Sequence, residues 1–218
     1  MPVASSTVMR FGDQVAFVVE RYDRRVIDDR IVRIHQEDMC QAFAVPPTKK
    51  YENEGGPSVR RIVDFLRENS GAPREDLQTF IDAVAFNWLV AGTDAHAKNY
   101  SILIGAGGRV RLAPLYDLAS VLPYSEFDPL KLKLAMKLVG KYRLRDITAR
   151  SWEKLSDELH LDKQEIARRV SEMAGRLPHE AQTVRKLLKE SGIKHRVLDR
   201  LTDRLSAHSD KCARMFAL

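Results

Sequence analysis

Between an apolar stretch and a β-like run lies Gly92-Thr-Asp-Ala-His-Ala-Lys-Asn99, a dense polar cluster that core packing does not require. Asp94 is followed five residues later by Asn99, and a second acid, Asp117, comes after one predicted hairpin. This order suits phosphoryl transfer. That reaction needs a hydroxyl held in line with a phosphate by a hydrogen-bond acceptor, and hard oxygen donors that keep a magnesium ion on the phosphates. Asp94 fits the first task, and Asn99 with Asp117 the second. Lys98 adds positive charge where negative charge develops, and His96 either orients the loop or touches the phosphates.

Each residue also has a plainer job. Asp94 and Asn99 are common in turns and helix caps, His96 makes structural hydrogen bonds, Lys98 is usually solvated, and Asp117 can N-cap a short helix over 118–121. The order of the set carries the phosphoryl-transfer reading, since Asp-x-x-x-x-Asn alone is a weak pattern; it is the spacing of a protein-kinase catalytic loop. Asp94-x-His96 with Asp117 also contains residue types found in metal-dependent hydrolases, but only one histidine is near.

The elements that must position these residues can be read from periodicity. Leu77, Phe80, Ile81, Val84 and Trp88 recur at helical spacing after Pro73, which delivers a helix to the doorstep of Asp94. Ahead of it, Pro57-Ser58 opens a helix with Val59, Ile62, Val63 and Leu66 on one face, ending near Asn69. Tyr100 to Ile104 and Val110 to Leu112 flank Gly105-Ala-Gly-Gly108 and predict a hairpin leading to Asp117. Val15 to Glu20 and Ile31 to Ile34 read as strands that pair with each other, with helical spacing from Gln36 onward. The Leu130 to Met136 alternation fits either a half-exposed strand or a helix start. The last third predicts helices over 151–159, 162–190 with a break at Pro178, and 193–216. The class is mainly α with small β elements, α+β.

Composition narrows the setting. The 218 residues carry 36 Lys and Arg against 30 Asp and Glu, a net +6, which is too modest to require a nucleic-acid partner. Cys40 and Cys212 form no CxxC pair, so neither a disulfide framework nor a zinc site is expected. With no run of eighteen apolar residues and no apolar leader, the reading is a cytoplasmic protein without membrane contact.

Five ordered stretches, Val19-Glu-Arg-Tyr-Asp-Arg24, His35-Gln-Glu-Asp-Met-Cys40, Lys50-Tyr-Glu with Gly55-Gly-Pro57, Thr93 to Asn99 and Arg111-Leu-Ala-Pro-Leu-Tyr-Asp117, resemble signatures of the HipA family. These are kinase toxins of bacterial toxin-antitoxin modules. The resemblance implies a protein-kinase-like carboxy-terminal lobe over 35–218, preceded by hinge-proximal strands over 1–34. It implies ATP and Mg2+ as cofactors, with Asp94 as the catalytic aspartate. His96, Ala97, Lys98 and Asn99 form the nucleotide- and metal-contacting loop, Tyr116-Asp117 supplies the second metal position, and Glu20-Arg21-Tyr22 contacts adenine at the hinge. Implied partners are a serine- or threonine-bearing protein, glutamyl-tRNA synthetase for the best-known toxins, and a HipB-like antitoxin that bridges to DNA. Lys131, Lys133, Lys137, Lys141, Arg143 and Arg145 fall where some members touch that DNA, which predicts at most weak, salt-sensitive contact. Only 19 residues precede Glu20, and they hold no lysine and no glycine-rich loop. The phosphate loop and strand lysine of the family are therefore expected from a second polypeptide or a longer chain, or else the lobe is a non-catalytic binding module.

Overall fold

The structure, a computed structural model, describes residues 1–216, and about half of the chain is helical. It divides into two compact units, 1–80 with 96–117, and 81–95 with 118 onward.

Two-residue turns set the first hairpins. Strand β1 (Ser6–Phe11) pairs antiparallel with β2 (Gln14–Val19) across Gly12-Asp13, where Gly12 takes a φ of 62°. A side chain there would meet the left-handed penalty that glycine avoids. Strand β3 (Arg24–Ile27) pairs with β4 (Arg30–Arg33) across Asp28-Asp29, both at positive φ as a type I′ turn requires. The expected pairing of Val15–Glu20 with Ile31–Ile34 is thus corrected. Each strand pairs instead with a close neighbour in sequence, because each tight turn fixes its own register. Both hairpins carry exposed apolar side chains, among them Phe17 at 69%, Val26 at 72% and Ile31 at 74%.

Strand β5 (His35–Asp38) replaces the helix expected from Gln36, and only the turn α1 (Met39–Ala42) after it is helical. Asp38 stops the strand and starts the helix: its carboxylate accepts from Gln41 N at 2.9 Å while Gln41 Oε1 accepts from Asp38 N at 2.9 Å. Helix α2 (Val59–Asn69) is N-capped by Ser58 and buries Val59, Ile62, Val63 and Leu66, as its spacing predicts. Helix α3 (Pro73–Leu89) begins in the first unit and continues into the second. Strands β6 (Ser101–Ile104) and β7 (Val110–Leu112) form the predicted hairpin and extend β5 into an antiparallel sheet of order β5-β6-β7. The buried Asp76 locks β7 to the start of α3: its carboxylate accepts from Leu112 N at 2.8 Å, from Ser70 Oγ at 2.6 Å and from the Arg111 guanidinium.

In the second unit, strand β8 (Lys133–Leu138) pairs with β9 (Lys141–Arg143) and resolves the ambiguous alternation as a strand. Helix α4 (Ala149–Leu159) buries Trp152 against Trp88, with ring centroids 5.6 Å apart. Helices α5 (Lys163–Glu190) and α6 (Arg196–Arg214) pack along each other after a short turn. Arg169 of α5 forms an ion pair with the buried Asp82 of α3.

Helix α5 runs unbroken through Pro178, against the expected interruption. Proline lacks the N–H that would bond Ala174 O, four residues back. Ser209 of α6 supplies the missing donor, its Oγ lying 2.8 Å from Ala174 O, and both side chains are buried. Ser209→Ala is therefore expected to lower stability by about 1–2 kcal/mol in a urea titration. In a Pro178→Ala background the same change should cost much less, since residue 178 then supplies its own N–H. Equal losses in both backgrounds would contradict the pairing.

Candidate functional site

The polar loop starts from a helix cap. Ala91 takes a φ of 54°, its N–H reaching Trp88 O at 3.4 Å, while Gly92 N donates to Asn87 O at 2.7 Å. This is the Schellman arrangement, with Ala91 in the left-handed position where glycine is usual. Gly92 has no room for a side chain, since a Cβ would sit 2.3 Å from Asn87 Oδ1 and 3.2 Å from Ala119 O. The chain thus leaves α3 along one fixed path, and Asp94 follows two residues later on the exposed side.

Past Asp94 the loop enters the first unit and tightens into a 3-10 turn, Ala97–Asn99, with Asn99 N donating to His96 O at 2.9 Å. Three sets of contacts hold this turn. His96 is buried edge-on to Tyr51 with centroids 5.3 Å apart, and Ala97 N donates to Lys50 O at 3.3 Å. The Lys50-Tyr51 segment is folded back over Gly56, where a Cβ would lie 2.5 to 2.9 Å from the carbonyl oxygens of Lys49, Lys50 and Tyr51. With Gly55 at a φ of 95°, this accounts physically for the Gly55-Gly56 pair. Lys98 Nζ pairs with Asp38 Oδ2 at 2.7 Å, so the residue that caps α1 also anchors the loop. Tyr116 Oη donates to Lys98 O at 2.6 Å and lies 2.6 Å from Ser101 Oγ. Burial raises the Tyr116 phenol far above its usual range, keeping it a proton donor.

Nine of the ten predicted residues, Glu20, Arg21, Tyr22, His96, Ala97, Lys98, Asn99, Tyr116 and Asp117, lie in the first unit, and Asp94 lies in the second. Tyr22 stacks on Tyr116 with centroids 6.0 Å apart. Arg21 grips the buried Asp23 through Nε at 2.7 Å and Nη2 at 2.6 Å, with Arg24 on the same carboxylate, and these bonds hold Asp23 down at about 2. Glu20 N donates to Ser5 O at 2.8 Å, fixing the end of the first hairpin. Asp117 is exposed at a φ of 54° and no helix follows it, so it does not serve as an N-cap over 118–121. Sequence reasoning missed Asp38, Ser101 and Lys50 as supports. Their signal was present, since Asp38 and Lys50 stand inside the quoted family stretches, but their partners lie 60 and 47 positions away along the chain.

The donor set fits a magnesium ion that is shared with phosphates. Asn99 is buried, only 7% exposed, and carries an amide oxygen, and Asp117 carries an exposed carboxylate. Among the described residues no three His, Cys, Asp or Glu side chains come together as a metal set. Magnesium characteristically takes one or two protein ligands and completes its shell with water and substrate phosphates.

A family model, the HipA-like C-terminal domain, matches residues 1–181. The chain belongs to this family. It is 41% identical over 157 residues to the putative kinase Y4mE of Sinorhizobium fredii, covering 72% of this chain and 36% of that protein. It is 33% identical over 190 residues to the serine/threonine-protein kinase toxin HipA of Shewanella oneidensis, covering 82% of this chain and 43% of HipA. A solved complex of Shewanella oneidensis HipA and HipB with operator DNA superposes with a TM-score of 0.87 at 27% identity, over the whole of this chain and 53% of that one. The Helicobacter pylori proinflammatory kinase CtkA shares the fold, at a TM-score of 0.65 and 10% identity over 99% of this chain and 76% of that one. The chain thus spans about half or less of its HipA-like relatives. Among the described residues no helix is long and apolar enough to cross a membrane.

Proposed function

We propose that this HipA-like chain is the carboxy-terminal lobe of a serine/threonine kinase that moves the γ-phosphate of ATP to a protein hydroxyl. The observation that carries this reading is the clamped turn Ala97–Asn99, whose main chain is held by Asp38, Lys50 and Tyr116. Such positioning is most of what a phosphoryl-transfer site contributes. Asp94 orients the accepting hydroxyl. Asn99 and Asp117 hold the nucleotide's magnesium, which supplies charge neutralisation on the phosphates. Glu20-Arg21-Tyr22 meets the adenine, and the Tyr22–Tyr116 stack ties that hinge to the segment bearing Asp117.

The exposed apolar side chains on the two amino-terminal hairpins favour a partner polypeptide there, since exposed apolar strands are association sites. What covers them, in a longer chain or as a second polypeptide, is a lobe equivalent to the amino-terminal half of the HipA relatives, bringing the phosphate loop and lysine. A HipB-like antitoxin is the second proposed partner, by analogy with the Shewanella complex. In such a complex the six basic residues from Lys131 to Arg145 make at most weak, salt-sensitive DNA contact. Lys141 Nζ is already engaged by Asp146 O at 2.8 Å and Ser151 Oγ at 3.2 Å.

The alternative, a lobe that binds partners without transferring phosphate, is separated by calorimetry of ATP with and without magnesium. The chain mixed with an amino-terminal HipA-type lobe is expected to bind magnesium-ATP at least about tenfold more tightly than the chain alone. Absence of binding in both samples would favour the non-catalytic reading.

A further inference from the structure

The cap that launches Asp94 has a weak point. From the main chain Trp88 O receives the long 3.4 Å bond from Ala91 N, and Ala91 itself sits in the left-handed region. A helix end of this kind frays unless another donor fixes its last carbonyls. His208, on α6, places Nε2 at 3.1 Å from Trp88 O. The Trp88 side chain is immobilised as well, fully buried, with Nε1 directed to Leu144 O at 3.4 Å and its ring against Trp152 and Phe216. Helix α6 therefore grips α3 at the residue whose carbonyl belongs to the cap.

We infer that His208 is a positioning residue for Asp94: by donating from Nε2 to Trp88 O it holds the Ala91-Gly92 cap in the one conformation that aims the loop. The inference rests on the reading of Asp94 as the hydroxyl-orienting acid. Burial lowers the readiness of His208 to take a second proton, which agrees with a neutral ring that carries its hydrogen on Nε2. Cys212 Sγ, 3.7 Å from the same nitrogen, is a secondary contact. Its thiol is pushed up to about 12 by burial and stays protonated. Nothing in the polar loop's own sequence points to His208, which lies 120 positions beyond Trp88.

The test compares His208→Leu, which removes the donor, with His208→Gln, which keeps a neutral N–H. Amide exchange on the full chain is read at Ala91 to Asp94, and global stability by urea titration in parallel. The leucine variant is expected to exchange at least fivefold faster at those four amides than wild type, beyond any acceleration of the buried amides of α5, and the glutamine variant to return most of the protection. In the kinase completed with an amino-terminal lobe, kcat should fall about tenfold for leucine with KM for ATP within twofold. Unchanged exchange at 91–94, or a rise shared by the whole second unit, overturns the inference, as does faster exchange with unaltered kcat. If the completed wild-type protein transfers no phosphate, the kinase reading fails, and the exchange comparison still decides whether His208 holds the cap.

Discussion

Asp94→Asn in the completed kinase is expected to cut kcat by roughly 10²–10⁴-fold while ATP affinity stays within about twofold. Asparagine preserves the size and the hydrogen-bonding reach of the side chain but removes the negative charge and the capacity to take a proton. An acceptor that orients a serine or threonine hydroxyl acts on the reacting oxygen and makes no contact that ATP binding requires, so the loss should appear in turnover and not in nucleotide affinity. Folding should be little affected. Asp94 is exposed, the path of the chain before it is fixed by Gly92 and by the Ala91 cap, and asparagine keeps the shape of the side chain. The measurement is phosphate transfer to a protein substrate under single-turnover conditions, with urea titration as the control. Turnover within tenfold of wild type would mean that another group orients the hydroxyl, and the loop would then have to be read as a structural turn.

Much of this arrangement is visible along the chain because it is local. The stripe from Leu77 to Trp88 is a helix, Ser58 and Asp162 cap where capping residues should, and Gly105 to Gly108 turns the hairpin that leads to Asp117. What escaped notice is set by tertiary partners or by unusual turn residues. Strand β1 alternates weakly, so Gly12-Asp13 reads as the boundary of one strand and not as a turn between two. The β8–β9 hairpin turns at Val139-Gly140, both at positive φ, and a β-branched residue at such a position gives no turn signal. Pro178 reads as a helix break until Ser209 is brought beside Ala174. The same holds for the site. The acids and amide declare themselves by spacing, whereas the groups that hold them, Asp38 and Lys50, come from segments whose own patterns speak only of a strand end and a loop.

Removing the charge of Asp117 tests the other half of the site. Asp117→Asn is expected to weaken magnesium-dependent ATP binding on the order of 100-fold, about 2.7 kcal/mol, with binding of ATP in excess chelator little changed. The size of the effect follows from the donor count. Asn99 and Asp117 are the two protein donors of the proposed metal position, and Asp117 is the charged one, so its neutralisation removes the main protein attraction for a divalent ion. Asparagine is preferred to alanine for this test because the position holds a φ of 54°. Alanine would add about 1 kcal/mol or more of backbone cost, whereas asparagine tolerates the left-handed region as aspartate does. A magnesium titration at fixed ATP separates the two effects, since a metal-site defect shifts the midpoint while a folding defect lowers the amplitude. An unshifted midpoint would remove Asp117 from the metal position and leave its left-handed backbone as a turn constraint after Tyr116. A shifted midpoint together with intact binding in chelator would support the division of labour proposed here, in which the hinge at Tyr22 holds the base and the Asn99–Asp117 pair holds the phosphates through their ion.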